Sequence, residues 1–155
     1  MTPPGGDPGA GRQGARWLEL GPAAADRLFL EDAPALLVIG DAALASRFHL
    51  SALCRFAIDA GVARTVFWGR AAAHHADRFR EIRALRRGRA PGPDVGACAR
   101  FEPVDLMEDA AAMAAYARAA TRASAALLDR GDPLERRLLC ALEAEGALER
   151  PPSGG

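Results

Sequence analysis

Five consecutive apolar residues, Ala35-Leu36-Leu37-Val38-Ile39, are stopped by Gly40-Asp41. A helical stretch then runs to Ala60, Gly61 breaks it, and a second apolar run, Thr65-Val66-Phe67-Trp68, closes on Gly69-Arg70. Apolar runs without polar alternation are what a strand covered on both faces needs, and such strands belong to parallel sheets flanked by helices. The pattern therefore predicts a strand-helix-strand unit with both strands in one parallel sheet. Within its helix Arg47, Ser51, Arg55 and Asp59 recur every four residues and leave Leu44, Phe48, Leu50, Leu53, Cys54, Ala57 and Ile58 for the rest of the surface. One narrow polar stripe faces water and the remainder is buried.

The spacing predicts a second helix from Ala71 to about Arg87, with Ala72, Ala76, Phe79, Ile82 and Leu85 or Arg86 on its covered side. Pro91-Gly92-Pro93 makes residues 88–96 a loop, and Val95 to Phe101, ended by Pro103, reads as a third strand. A long alanine-rich helix follows from about Asp105 to Asp129. Gly131 ends it, and Asp132-Pro133-Leu134-Glu135 starts another, with Asp132 as N-cap, Pro133 at the first helical position and Glu135 at the third. Leu134, Leu138, Ala141 and Leu142 supply its buried side and Gly146 closes it. Arg16 to Leu20 and Arg27 to Glu31 alternate over short stretches and suggest a small hairpin or an edge strand. Residues 1–15 and 150–155 are rich in Pro and Gly, have little to bury, and are expected to be disordered tails. The expected fold is a single three-layer, Rossmann-like α/β domain over residues 16–149: a small, mostly parallel β-α-β-α-β sheet followed by two C-terminal helices.

The 155 residues suit one domain with a real core. Twenty basic and twenty acidic residues cancel, so no net field draws the molecule to nucleic acid or an anionic membrane. Every basic residue is Arg, a bias that codons rich in G and C produce on their own, so arginine clusters carry less information than usual. Cys54, Cys98 and Cys140 stand far apart in apolar surroundings and read as small buried hydrophobes in a reducing compartment. Met1 to Gly14 lacks the apolar stretch of a secretory signal, and no run approaches the roughly 20 apolar residues of a membrane span. A soluble, cytoplasmic protein with no membrane partner is the expectation.

In open α/β sheets, ligands bind outside the carboxyl ends of the strands, which points to Gly40-Asp41, Gly69-Arg70 and Pro103 to Asp105. Gly40-Asp41-Ala42-Ala43 falls where a dinucleotide fingerprint would fall and keeps only its first glycine. Ala42 stands where pyrophosphate needs a glycine, and Asp41 adds a negative charge beside it. Asp41 is more simply an N-cap for the helix that follows. Arg70 is placed to meet a phosphate. His74-His75 cannot share one metal, because neighbours on a helix point about 100 degrees apart, although His74 with Asp77 or Arg78 could face the strand ends. No Cys-x-x-Cys or His-x-x-x-His spacing exists, so no metal or cofactor is expected.

The segment from Arg70 to Arg89 is basic, but its arginines surround the helix and no aromatic platform alternates with them, so nucleic acid is not an expected partner. Ser46, Ser51, Cys54, Cys98 and Cys140 are the possible nucleophiles, and none sits in a nucleophile-elbow context. Residues 35–70, with an aspartate after the first strand and Ala60-Gly61-Val62 before the second, resemble the small soluble domain of the TolR/ExbD proteins of energy-coupled transport. The resemblance stops at Arg70, and the membrane helix of that family has no counterpart here.

A soluble binding or protein-interaction module without evident catalytic residues is the expected function. Its partner would be another protein at the Arg-rich helix or the last two helices, or a second copy of the chain packed against the alanine-rich helix with Met113 and Tyr116. The alternative is a small enzyme or sensor holding a nucleotide or phosphorylated ligand at the strand ends, where Gly40, Asp41, Gly69, Arg70, His74 and Asp105 are the candidate ligand residues.

Overall fold

A computed structural model of the chain describes residues 16–21, 34–47, 50–86, 97–120 and 123–149. In chain order the elements are β1 (Arg16–Leu20), β2 (Leu36–Gly40), α1 (Asp41–Arg47), α2 (Leu50–Asp59), β3 (Arg64–Trp68), α3 (Ala72–Leu85), β4 (Ala97–Phe101), α4 (Leu106–Arg118), β5 (Ser124–Leu127), α5 (Pro133–Glu145) and β6 (Ala147–Glu149). The six strands form one sheet in the order β4-β3-β2-β5-β1-β6. All five pairings are parallel, and β2 and β3 lie side by side in the same direction with Val38 opposite Val66.

Alternation along the strands sends side chains to two separate cores, which is why the runs show no apolar–polar alternation. Leu37, Ile39, Phe67 and Leu127 point to one face, where Leu53, Cys54, Ala57 and Ile58 of α2 and Ala72, Ala76, Phe79 and Ile82 of α3 cover them. Val38, Val66, Trp68 and Ala126 point to the other, against Ala110, Met113 and Ala117 of α4 and Leu138, Leu139 and Leu142 of α5. The result is the expected three-layer α/β architecture, consistent with a Rossmann-like fold.

The expected long helix over 105–129 is corrected: α4 ends at Arg118, and Ser124-Ala125-Ala126-Leu127 is strand β5, paired with β2 on one side and β1 on the other. Alanine is the best helix former, so local preference favours helix there. The sheet overrides it because β5 is covered on both faces, where small side chains let two helix layers approach closely; all four of its residues are buried. Arg16 to Leu20 is likewise neither hairpin nor edge. It runs parallel between β5 and β6, with Trp17 and Leu20 buried. Gly146 ends α5 as expected, but a short outer strand follows it. Among the described residues the sheet has six strands, where the sequence located three and suggested a hairpin or an edge strand beside them. The helical stretch after Asp41 is divided into α1 and α2, and Leu85 is 87% exposed at the end of α3. The expected strand at 27–31, the loop at 88–96 and both expected tails lie outside the described residues. Among the described residues no helix is long and apolar enough to cross a membrane.

Candidate functional site

Connections from β2 to β3 and from β3 to β4 place their helices on one face, and those from β4 to β5 and from β5 to β6 place theirs on the other. The strand order reverses between β2 and β5, and at such a switch point the loops part to leave a crevice at the carboxyl ends. The loops flanking it here are Gly40-Asp41-Ala42 and Leu128 to Asp132.

The side chain of Glu135, from the first turn of α5, fills this space. It is 2% exposed, and its Oε2 accepts the Ala42 N–H at 2.6 Å while Oε1 accepts the Asp129 N–H at 2.9 Å. Burial pushes its carboxyl above the usual range against the pull of those two N–H groups, and the neighbouring Asp132 and Asp41 charges push the same way. Gly40 is a glycine because of this side chain: a Cβ there would lie 2.5 Å from the Glu135 Cδ and Oε1 and 2.6 Å from the Leu128 Cδ2. The Asp-Pro-Leu-Glu motif is half legible in advance. Asp132 does cap α5, accepting the Glu135 N–H at 3.0 Å, but the Glu135 carboxylate reaches across to the loop after β5 and to α1 instead of back to its own cap.

Asp41 also serves another element. As the first residue of α1 its carboxylate accepts the Ala71 N–H, at the start of α3, at 2.8 Å, and its Oδ1 stands 3.4 Å from the His75 Nε2. Gly69 permits the approach, since a Cβ on it would fall 2.3 Å from the Asp41 Cγ, and its φ of +135° is a value side chains rarely tolerate. Of the candidate ligand residues, Asp41 and Gly69 are thus brought together, with Gly40 one residue away against Glu135. Arg70 and His74 are exposed, and among the described residues neither is paired with a carboxylate. Asp105 is exposed and caps α4, accepting the Met107 and Glu108 N–H groups. His75, and not the candidate His74, is the histidine that meets Asp41. Burial lowers its pKa, and the Asp41 charge opposes that.

Two further buried carboxylates lie near the same edge. Glu19 of β1 holds Arg130 of the β5–α5 loop in a two-pronged pair. Asp109 of α4 accepts the Trp68 indole N–H at 2.8 Å and is pushed up by burial. Its folded-state pKa lies above the ordinary 3.8, so the ionised form costs stability at neutral pH, and that cost disappears as pH falls below the ordinary value. Asparagine keeps an oxygen for the indole and removes the charge. Asp109→Asn is therefore expected to be more stable than the natural chain at pH 7, with the difference fading towards pH 3.8, in paired urea titrations at the two pH values.

Two of the three thiols are held in their neutral form by burial. Cys54 is buried and pushed up to about 12 by burial, with the neighbouring Cys98 adding to it; Cys98 is half-buried and also raised. Cys140, expected to be buried, is exposed on the outer side of α5. Among the described residues, no three His, Cys, Asp or Glu side chains are grouped so as to hold a metal ion. Compared with protein-family models, with curated proteins and with solved structures, the chain matches none.

Proposed function

We propose that the chain is an α/β binding module without catalysis of its own, and that it recognises another protein instead of a nucleotide. One observation carries this: the Glu135 carboxylate lies on the Ala42 and Asp129 N–H groups, in the crevice where a dinucleotide would present its phosphates. An incoming phosphate would have to displace a buried, doubly bonded side chain and join Glu135, Asp41 and Asp132 in one negatively charged corner. The fingerprint failure at Ala42 has the same sense, because the peptide that would cradle pyrophosphate is already engaged by the chain itself.

Thermal-shift titration against oxidised and reduced nicotinamide dinucleotides, flavin mononucleotide, adenosine triphosphate and sugar phosphates tests this reading. A ligand at 100 times its dissociation constant adds about 2.7 kcal/mol to stability, a readily measured rise. No member of the panel is expected to produce one. A shift that Arg70→Ala abolishes would overturn the proposal in favour of a phosphorylated ligand at the exposed start of α3.

A further inference from the structure

Arg55 of α2, Arg78, Glu81, Ile82 and Leu85 of α3, and Arg86 just beyond its end line an open groove of about 580 Å³ between the two helices. The helices run side by side, and Arg86 ties their ends together: its Nη2 reaches both carboxylate oxygens of Asp59, at 2.5 and 2.6 Å, and its Nε reaches Oδ1 at 3.1 Å. Arg78 is paired with Glu81 at 3.0 Å. Arg55 is exposed, and among the described residues no carboxylate pairs with it.

The groove therefore has an apolar floor, a surplus of positive charge at Arg55, and a width fixed by the Arg86–Asp59 tie. An exposed leucine by itself means little. Leu85 is 87% exposed and lines this concave surface beside Arg55, and arginine is among the residues enriched at interface centres. The polar stripe from Ser51 to Asp59 is about 12 Å long at the rise of an α-helix, which matches two turns of a helix laid along it. Among the described residues, no aromatic side chain lines the groove on which a nucleic-acid base could stack.

We propose that this groove docks an acidic amphipathic helix of a partner protein, with an apolar side chain on Ile82 and Leu85 and a carboxylate on Arg55. The proposal rests on the protein-recognition reading above, and it is tested through a surface remote from Glu135. Complementary charge selects the partner's sign and the apolar floor supplies the anchor.

The probe is a fluorescent 14-residue helical peptide with leucines on one face and glutamates on the other, with a lysine-for-glutamate version as control. Fluorescence anisotropy is expected to show saturable binding of the acidic peptide, weakened by added salt, and no binding of the basic one. Arg55→Glu and Leu85→Asp are each expected to weaken binding about tenfold or more while leaving Tm unchanged, because both side chains are exposed. The proposal is overturned by absence of binding, by equal binding of the two peptides, by affinity unmoved by both substitutions, or by binding of anionic vesicles in place of the peptide. Any of these failures leaves the nucleotide result standing as a separate outcome.

Discussion

Gly69→Ala is expected to lower stability by about 3–5 kcal/mol, seen as a fall of roughly 10–15 °C in Tm. Two penalties add. The backbone at Gly69 holds φ at +135°, a conformation that costs a residue with a side chain on the order of 1–3 kcal/mol. The new Cβ would also stand 2.3 Å from the Asp41 Cγ, and Asp41 cannot move aside without releasing the Ala71 N–H at the start of α3. Gly61 is the control. Its φ is +81° but nothing lies within 4 Å of an added Cβ, so Gly61→Ala should cost only the backbone part, about 1 kcal/mol.

The second large effect is a coupled one. Gly40→Ala is expected to cost about 2–4 kcal/mol, because the Cβ meets the Glu135 carboxyl and the Leu128 side chain together in a closed corner. Glu135→Ala removes the acceptor of two backbone N–H groups and is expected to cost about 1–3 kcal/mol, part of the loss being returned because a buried charge disappears. The double substitution should cost less than the sum by about 1–2 kcal/mol, since the two Glu135 atoms nearest the new methyl are gone. Urea unfolding of the four proteins measures the coupling. Strict additivity would mean that Gly40 and Glu135 do not meet.

The fold was largely legible where periodicity and burial agree. Leu36 to Ile39 and Val66 to Trp68 have no polar positions because helices cover both faces, and the parallel pairing follows from that. It was not legible at β5, where Ser-Ala-Ala-Leu has the composition of a helix and becomes a strand only because two layers of helix need small residues between them. The site was legible in place but not in content. Strand ends at Gly40 and Gly69 could be located from the apolar runs, yet both glycines are there for carboxylates of this chain, and Glu135 lies 95 positions after Gly40 in sequence. A capping motif announces that Glu135 belongs to the start of α5. Only the packing of α5 behind β5 shows that its carboxylate reaches α1. Asp41 gave a similar half-signal: an aspartate there is read as the N-cap of the helix that follows, whereas it is the first residue of α1 and its carboxylate accepts the Ala71 N–H just ahead of α3.

Amide hydrogen exchange at Ala42 and Asp129, followed by NMR with and without millimolar nicotinamide dinucleotide, tests most directly whether Glu135 occupies the crevice between β2 and β5. Both amides are expected to exchange slowly and to keep their chemical shifts when the nucleotide is added, because a buried carboxylate already binds them. Rapid exchange at both positions, with shifts that move as nucleotide is titrated, would contradict the account.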